Sequence, residues 1–234
     1  YYYCKGNLTY AFTKLDIFII VLILAGGLFI GQFVSMAISP ALMKKYETKK
    51  VYNLFSGLSA VAFALLFVVY LIAPTDLSKI GFVVIDGILF FGTGMGFGGV
   101  NVCQSVMISD CIDYEEYHHG YRPDGIFFSG QSFITKFSAG ISSIISGYVF
   151  DAVGYTDINI NKMNEAIANG ANFATDYTSY SKAMWFLISI PPAIGMLLAV
   201  IPTLKYEIDK KSHNKMLEEL VKRHKQNNQG DTNG

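Results

Sequence analysis

Charge is what this sequence has least of. Only 15% of its 234 residues are Asp, Glu, Lys or Arg, where an ordinary water-soluble domain carries about 25%. That deficit excludes a conventional water-facing surface over most of the chain. The formal net charge is zero, so no excess of positive charge is available to hold nucleic acid. Cysteine is also scarce: Cys4, Cys103 and Cys111 are the only three, and they show no metal-ligand spacing. Cys103 and Cys111 fall in or at the end of an apolar run, where a small packing role is expected. No metal site, and no catalytic residue, is predicted.

What the chain has instead is long apolar blocks, 52% of its residues being hydrophobic. Residues 17–43, 51–73 and 183–204 contain no Asp, Glu, Lys or Arg, residues 80–108 contain only Asp86, and residues 125–150 contain only Lys136. Each block exceeds the roughly 20 residues that carry a helix across a hydrocarbon core about 30 Å thick. Five such blocks could not share one water-soluble core. The expected fold is all-α, a polytopic membrane protein, with helices over about 17–42, 51–73, 79–109, 124–150 and 182–204. A short helix is expected around 161–168, and an amphipathic one over 210–226 (Met216, Leu217, Leu220, Val221) on the membrane surface. The last residues are expected to be disordered.

Basic residues set the orientation. Lys44, Lys45, Lys49 and Lys50 lie between the first two spans, Arg122 between the third and fourth, and Lys205, Lys210, Lys211, Lys215, Lys222, Arg223 and Lys225 after the last. Five crossings put all of these on one side, leaving Lys5, Lys14, Lys79, Lys162 and Lys182 on the other. The basic side, with the C-terminus, is predicted to be cytoplasmic.

Two of the spans carry polar residues that lipid would not favour. Along 131–146, Gln131, Ser132, Thr135, Lys136, Ser138, Ser142, Ser143 and Ser146 recur at spacings of three and four and make one small, polar face. Such a face inside a bilayer meets protein or water. Lys136 lies about 16 Å of helix from the cytoplasmic end. There a charge costs at least about 2.5–3.5 kcal/mol unless paired or hydrated, and the side chain is too short to reach the interface. Asn101, Gln104 and Ser105 share a face of the preceding span. A ligand-binding role and plain interhelical hydrogen bonding account equally well for Asn101 and Gln104. Asp86 either faces an external vestibule or pairs with another helix. The glycines Gly92, Gly94, Gly96, Gly98 and Gly99 lack the context of a phosphate loop and read as close helix packing, as do Gly26, Gly27 and Gly31. Pro191 and Pro192 are expected to kink the last span.

Between the third and fourth spans, Ser109 to Gly125 reads SDCIDYEEYHHGYRPDG, with five carboxylates in seventeen residues. Here D-x-x-D-Y-x-E-Y is present from Asp110 to Tyr117, followed by Arg122, Asp124 and F-S-x-Q-S-F-x-x-K from Phe128 to Lys136. This resembles the helix 10–11 region of the glycoside–pentoside–hexuronide:cation symporters, the melibiose permease family within the major facilitator superfamily. The order of elements agrees along nearly the whole chain, with Tyr1–Cys4 similar to the end of helix 7. The resemblance implies the C-terminal six-helix bundle of such a transporter. Residues 1–16 would be the end of helix 7 and an external loop, 17–205 helices 8–12, and 206–234 a cytoplasmic tail. The chain, which does not begin with Met, is then expected to be the C-terminal part of a longer one.

The resemblance also implies a function, sugar:cation symport, and roles for individual residues. Gln131, Ser132, Thr135 and Lys136 match positions facing the sugar and cation sites. Asn101 stands where a sugar-stacking tryptophan is found in the family's namesake, and Gln104 lies one turn further on. Asn cannot stack on a pyranose ring, which argues against a melibiose-like galactoside. Asp110, Asp113, Tyr114, Glu116 and Arg122 match a cytoplasmic gate whose acidic residues pair across bundles in the outward-facing state. The implied partners are a sugar or glycoside, a coupling Na⁺ or H⁺ held mainly by the N-terminal six-helix bundle, that bundle itself, and the lipid bilayer of a bacterial plasma membrane. The alternative is a membrane relative that binds sugar as a sensor without transporting it. His118 and His119 have no nucleophile or metal spacing beside them, so an embedded hydrolase finds no support.

Overall fold

The computed structural model describes residues 17–72, 80–171, 173–206 and 210–231. The expected helix 7 end at Tyr1–Cys4, and with it Lys5, Lys14 and Lys79, lies outside the described residues. The described chain is all-helical. Its helices are α1 Ile17–Lys45, α2 Thr48–Ile72, α3 Ile80–His119, α4 Asp124–Ala152, α5 Asp157–Ala168, α6 Phe173–Asp176, α7 Thr178–Leu198, α8 Val200–Thr203 and α9 Lys210–Asp231. Five of them, α1 to α4 and α7 continued through α8, are long and apolar enough to cross a membrane. The protein is thus an all-α polytopic membrane protein, and no strand occurs among the described residues.

The apolar runs became helices because a backbone in lipid must satisfy its own N–H and C=O groups. The ends follow different rules. The third span was expected to stop at 109, where charge begins, yet α3 is a single helix of 40 residues ending at His119. Charge ends a membrane span but does not end a helix, and the Asp110–His119 segment continues it beyond the apolar run. At about 60 Å, α3 is twice as long as the hydrocarbon core is thick. It ends only where Gly120 adopts the left-handed conformation (φ 75°), which costs glycine least. The connection to α4 is accordingly short, Gly120 to Pro123. α7 passes through Pro191 and Pro192 as helix and breaks only at Ala199.

α3 is the central element. α1 lies along one side of it and α2 along another, while α7 packs on α2. The α1–α3 seam is a contact between backbones. A β-carbon on Gly94 would strike the Leu28 carbonyl, one on Gly31 the Phe91 carbonyl, and one on Gly98 the Gln32 carbonyl. On the α2 side, Gly96 accepts Ser59 and Gly99 accepts the Phe55 ring. The glycine run is therefore a packing surface, as its spacing predicts. Phe63, Leu66, Tyr70, Trp185 and Ala193 form the core between α2, α3 and α7, with the Tyr70 and Trp185 rings stacked at 5.8 Å. Nearer the basic side, Val51, Phe55 and Cys103 make a second cluster, and the Ser56 hydroxyl donates to the Met196 carbonyl. Cys103 is fully buried there, the packing role expected of it.

α4 stands apart. None of its residues is buried, and its main contacts are sparse ones with α3 and α7. Asp86 is the opposite case, a carboxyl only 4% exposed whose Oδ1 has no hydrogen-bond partner.

Replacing Gly94 by Ala is expected to destabilise the bundle by about 1–3 kcal/mol, the usual cost of overpacking. Gly26 and Gly57, whose surroundings are open, should accept Ala without loss. Thermal unfolding of the detergent-solubilised variants checks the contrast.

Candidate functional site

The candidate residues fall into two groups, one at the end of α3 and one between the bodies of α3 and α4. Asp110, Asp113 and Glu116 are spaced by three along α3 and so lie on one face. All three are less than a tenth exposed. The Gly120 turn brings Arg122 back over this face, where Nη1 donates to Asp113 Oδ1 at 2.8 Å and to Glu116 Oε2 at 2.8 Å. Its Nε donates to Asp124 Oδ2 at 3.0 Å. One guanidinium thus holds three carboxylates, a task its rigid fork of donors suits. Hydrogen bonding to Glu116, then to Asp113, raises the Arg122 pKa above its already high ordinary value. Asp124 in turn sits in the first turn of α4, where a negative charge favours the helix dipole.

The resemblance implied pairing across two bundles. Among the described residues, Arg122 pairs the end of α3 with the first turn of α4. Tyr114 lies outside the cluster, 41% exposed with its ring against His118. His119 pairs with Glu115 on the exposed side.

The cluster also contains residues that sequence reasoning missed. The Tyr206 hydroxyl donates to Asp110 Oδ2 at 2.8 Å. Burial first, and then this hydrogen bond, raises the Tyr206 pKa well above its ordinary value, so the phenol stays a neutral donor. His213 Nε2 lies 3.2 Å from Asp113 Oδ2 and 3.5 Å from Asp110 Oδ1. It is carried by α9, which docks on the end of α3. Met216 and Leu220 of α9 are buried, so they serve this protein contact and not the membrane surface. The Tyr117 hydroxyl donates to Glu219, and Arg223 donates to the Tyr117 carbonyl and lies 4.9 Å from the centre of its ring. A signal existed in the spacing: 213, 216 and 220 recur at helical intervals, which places the imidazole on the apolar face.

Deeper along the same two helices, Gln104, Gln131 and Thr135 line one cavity of about 390 Å³, with Ile108, Ile126, Phe127, Gly130 and Ile134. Its size suits a small ligand, and its walls mix apolar surface with a few polar groups. Thr135 returns its hydroxyl to the Gln131 carbonyl. Gln104 also lines a second cavity of about 420 Å³ with Tyr52, Cys111, Thr203 and Tyr206. Asn101, Ser132 and Lys136 stand exposed on the same helices and line neither cavity. No group of His, Cys, Asp and Glu with metal-holding geometry occurs among the described residues.

A family model described as MFS/sugar transport protein matches residues 2–210. The isoprimeverose transporter of Lactiplantibacillus pentosus is 33% identical over 135 residues, 57% of this chain and 25% of that protein. A putative sulfoquinovose importer of Salmonella typhimurium is 24% identical over 84% of this chain and 36% of its own length. The lactose permease of Lactobacillus helveticus is 28% identical over 48% of this chain and 16% of its own. The chain thus spans between about a sixth and little more than a third of these relatives. No solved structure matches.

Arg122→Gln is expected to loosen the α3–α4 connection. The change leaves the nearly buried Asp113 and Glu116 without their shared partner, so the loss reads as faster amide hydrogen exchange across 116–126 with the rest of the chain unchanged.

Proposed function

Because the chain belongs to the MFS/sugar transport protein family, we propose that it is the C-terminal half of a sugar:cation symporter working by alternating access. The observation that carries this reading is one pair of helices with two features. Mid-helix polar side chains, Gln104, Gln131 and Thr135, open into one cavity, and an arginine–carboxylate cluster closes the basic end of the same pair. On this reading residues 1–16 end helix 7, residues 17–205 are helices 8–12, and residues 206–234 are the tail. The chain lies in a bacterial plasma membrane with its C-terminus in the cytoplasm, and its partner is an N-terminal six-helix bundle carrying most of the cation site.

Substrate binds where the two bundles meet, and the chain's own residues divide the work. Gln104, Gln131 and Thr135 offer both donors and acceptors, as sugar hydroxyls require. Lys136 lies about 18 Å along α4 from its start, at a depth where an unpaired charge is costly. Lys136 and Ser132 share the polar side of α4 with Gln131 and Thr135, and on this reading that side meets the N-terminal bundle and the ligand. Asn101 completes this polar face by hydrogen bonding where stacking is impossible. The relatives' names give isoprimeverose, sulfoquinovose and lactose, so the proposed class is kept as glycosides, pentosides and hexuronides. At the end of α3, Asp110, Asp113, Tyr114, Glu116 and Arg122 form the cytoplasmic gate. Partly hydrated pairs of about 1 kcal/mol each can open and close within a balanced two-state equilibrium.

In the full-length protein, Lys136→Ala is expected to reduce ion-driven sugar uptake to background while membrane expression stays normal. Radiolabelled uptake in vesicles measures it, and wild-type uptake by the variant would refute the assignment. Sugar binding without accumulation under any ion gradient, in the wild-type protein, would favour the sensor reading instead.

A further inference from the structure

Asp113 divides its two oxygens between two helices: Oδ1 takes Arg122 from the α3–α4 connection, and Oδ2 takes His213 from α9. Asp110 is divided likewise, with Oδ2 on the Tyr206 hydroxyl and Oδ1 turned toward His213. The charges facing the imidazole are therefore unbalanced. Asp113, Glu116 and Asp124 gather around one guanidinium, and Asp110 takes the neutral hydroxyl of Tyr206. From α2, Lys49 reaches only as far as the Tyr206 carbonyl, at 3.4 Å. On α9 itself, Glu219 is taken by Tyr117, and Arg223 lies over that same tyrosine. Cys111 is a neutral thiol beside Asp110. His213, within reach of both Asp110 and Asp113, can bring a further positive charge to the acidic face.

We propose that His213 is a positioning residue of the cytoplasmic gate: protonated, it clasps α9 to Asp110 and Asp113 and so holds the acidic face of α3 in the arrangement seen here. This rests on reading the cluster as a gate. Histidine is the side chain whose ordinary charge change falls between about pH 5 and 8, so the clasp follows cytoplasmic acidity. With the imidazolium present, Nε2–H meets a carboxylate and the charges offset. As pH rises, the imidazole keeps one N–H donor but loses its charge, leaving Asp110 with the Tyr206 hydroxyl alone. Met216 and Leu220, buried beside it, keep α9 helical and near, so the charge sets the balance between docked and released tail. The direction is one-way: acidification favours the clasped state, and alkalinity favours release.

Pairs of spin labels placed by cysteine substitution at Tyr121 and Lys222, both exposed, report the separation of the tail from the α3–α4 connection in the full-length protein in proteoliposomes. In wild type, the ratio of released to docked tail is expected to rise about two- to fivefold between about pH 6 and pH 8, the range a partly exposed ion pair allows. His213→Gln should show the released ratio at both pH values, and His213→Arg the docked ratio at both. The same pH response in His213→Gln as in wild type would overturn the proposal, and so would a wild-type distance that does not move with pH. The Arg variant keeps the test decisive should the Gln variant misfold. Because tail distance is read without sugar or ion gradient, a clasp that titrates in a protein that transports nothing would leave the His213 assignment standing while refuting the transporter reading.

Discussion

Arg122 carries more of the site's geometry than any other residue. Through one nitrogen it holds Asp113 and Glu116, and through another Asp124. Without it, two buried carboxylates one turn apart on α3 would repel each other across a low-dielectric gap. The same side chain joins the end of α3 to the first turn of α4. That matters because α4 has little else to hold it within this chain, none of its residues being buried. The angle at which α4 leaves the membrane surface decides whether Gln131 and Thr135 face Gln104. The cavity thus depends on an ion cluster that begins within one helical turn of its Ile108 and Ile126 walls.

The spans were legible because lipid is a simple filter. A run without charge is a span, and a polar face on such a run must meet something other than lipid. The mid-helix glutamines and Thr135 therefore stood out, and the structure places Gln104, Gln131 and Thr135 on one cavity. What the filter could not show is where a helix goes after leaving the membrane. α3 was expected to end where Asp110 begins, yet Asp, Glu and His are tolerated in a helix in water, and only Gly120 stops it. The tail hid for the same reason. Met216 and Leu220 look alike whether they face lipid or protein, and a histidine three residues earlier adds meaning only once Asp110 and Asp113 are known to lie opposite. Tyr206 gave no signal, since its partner is 96 residues away.

Two kinds of contact in one chain imply two kinds of part. Along α1 and α3 the backbones touch at Gly31, Gly94 and Gly98, and a seam of that sort has no soft side chains to deform. It behaves as a rigid body. At the end of α3 the contacts are polar, half-hydrated and shared, with Asp113 serving two partners at once. Each is worth little alone, so one can be exchanged for another without unfolding anything. On the proposed alternating-access reading, this division supplies firm bodies with weaker contacts between them.

The placement of the latches follows from the same economy. In lipid, breaking an ion pair strands two charges, at a cost several times the value of an exposed pair. A latch that must open in every cycle therefore belongs at the end of a helix, where water can take over each charge as its partner leaves. On the proposed gate reading, the 40-residue length of α3 serves this purpose. It carries the acidic face clear of the hydrocarbon while keeping it on the same rod as Asn101 and Gln104. One continuous helix thus joins the polar mid-helix face to the Arg122 cluster with no intervening loop, the direct connection that the proposed reading calls for.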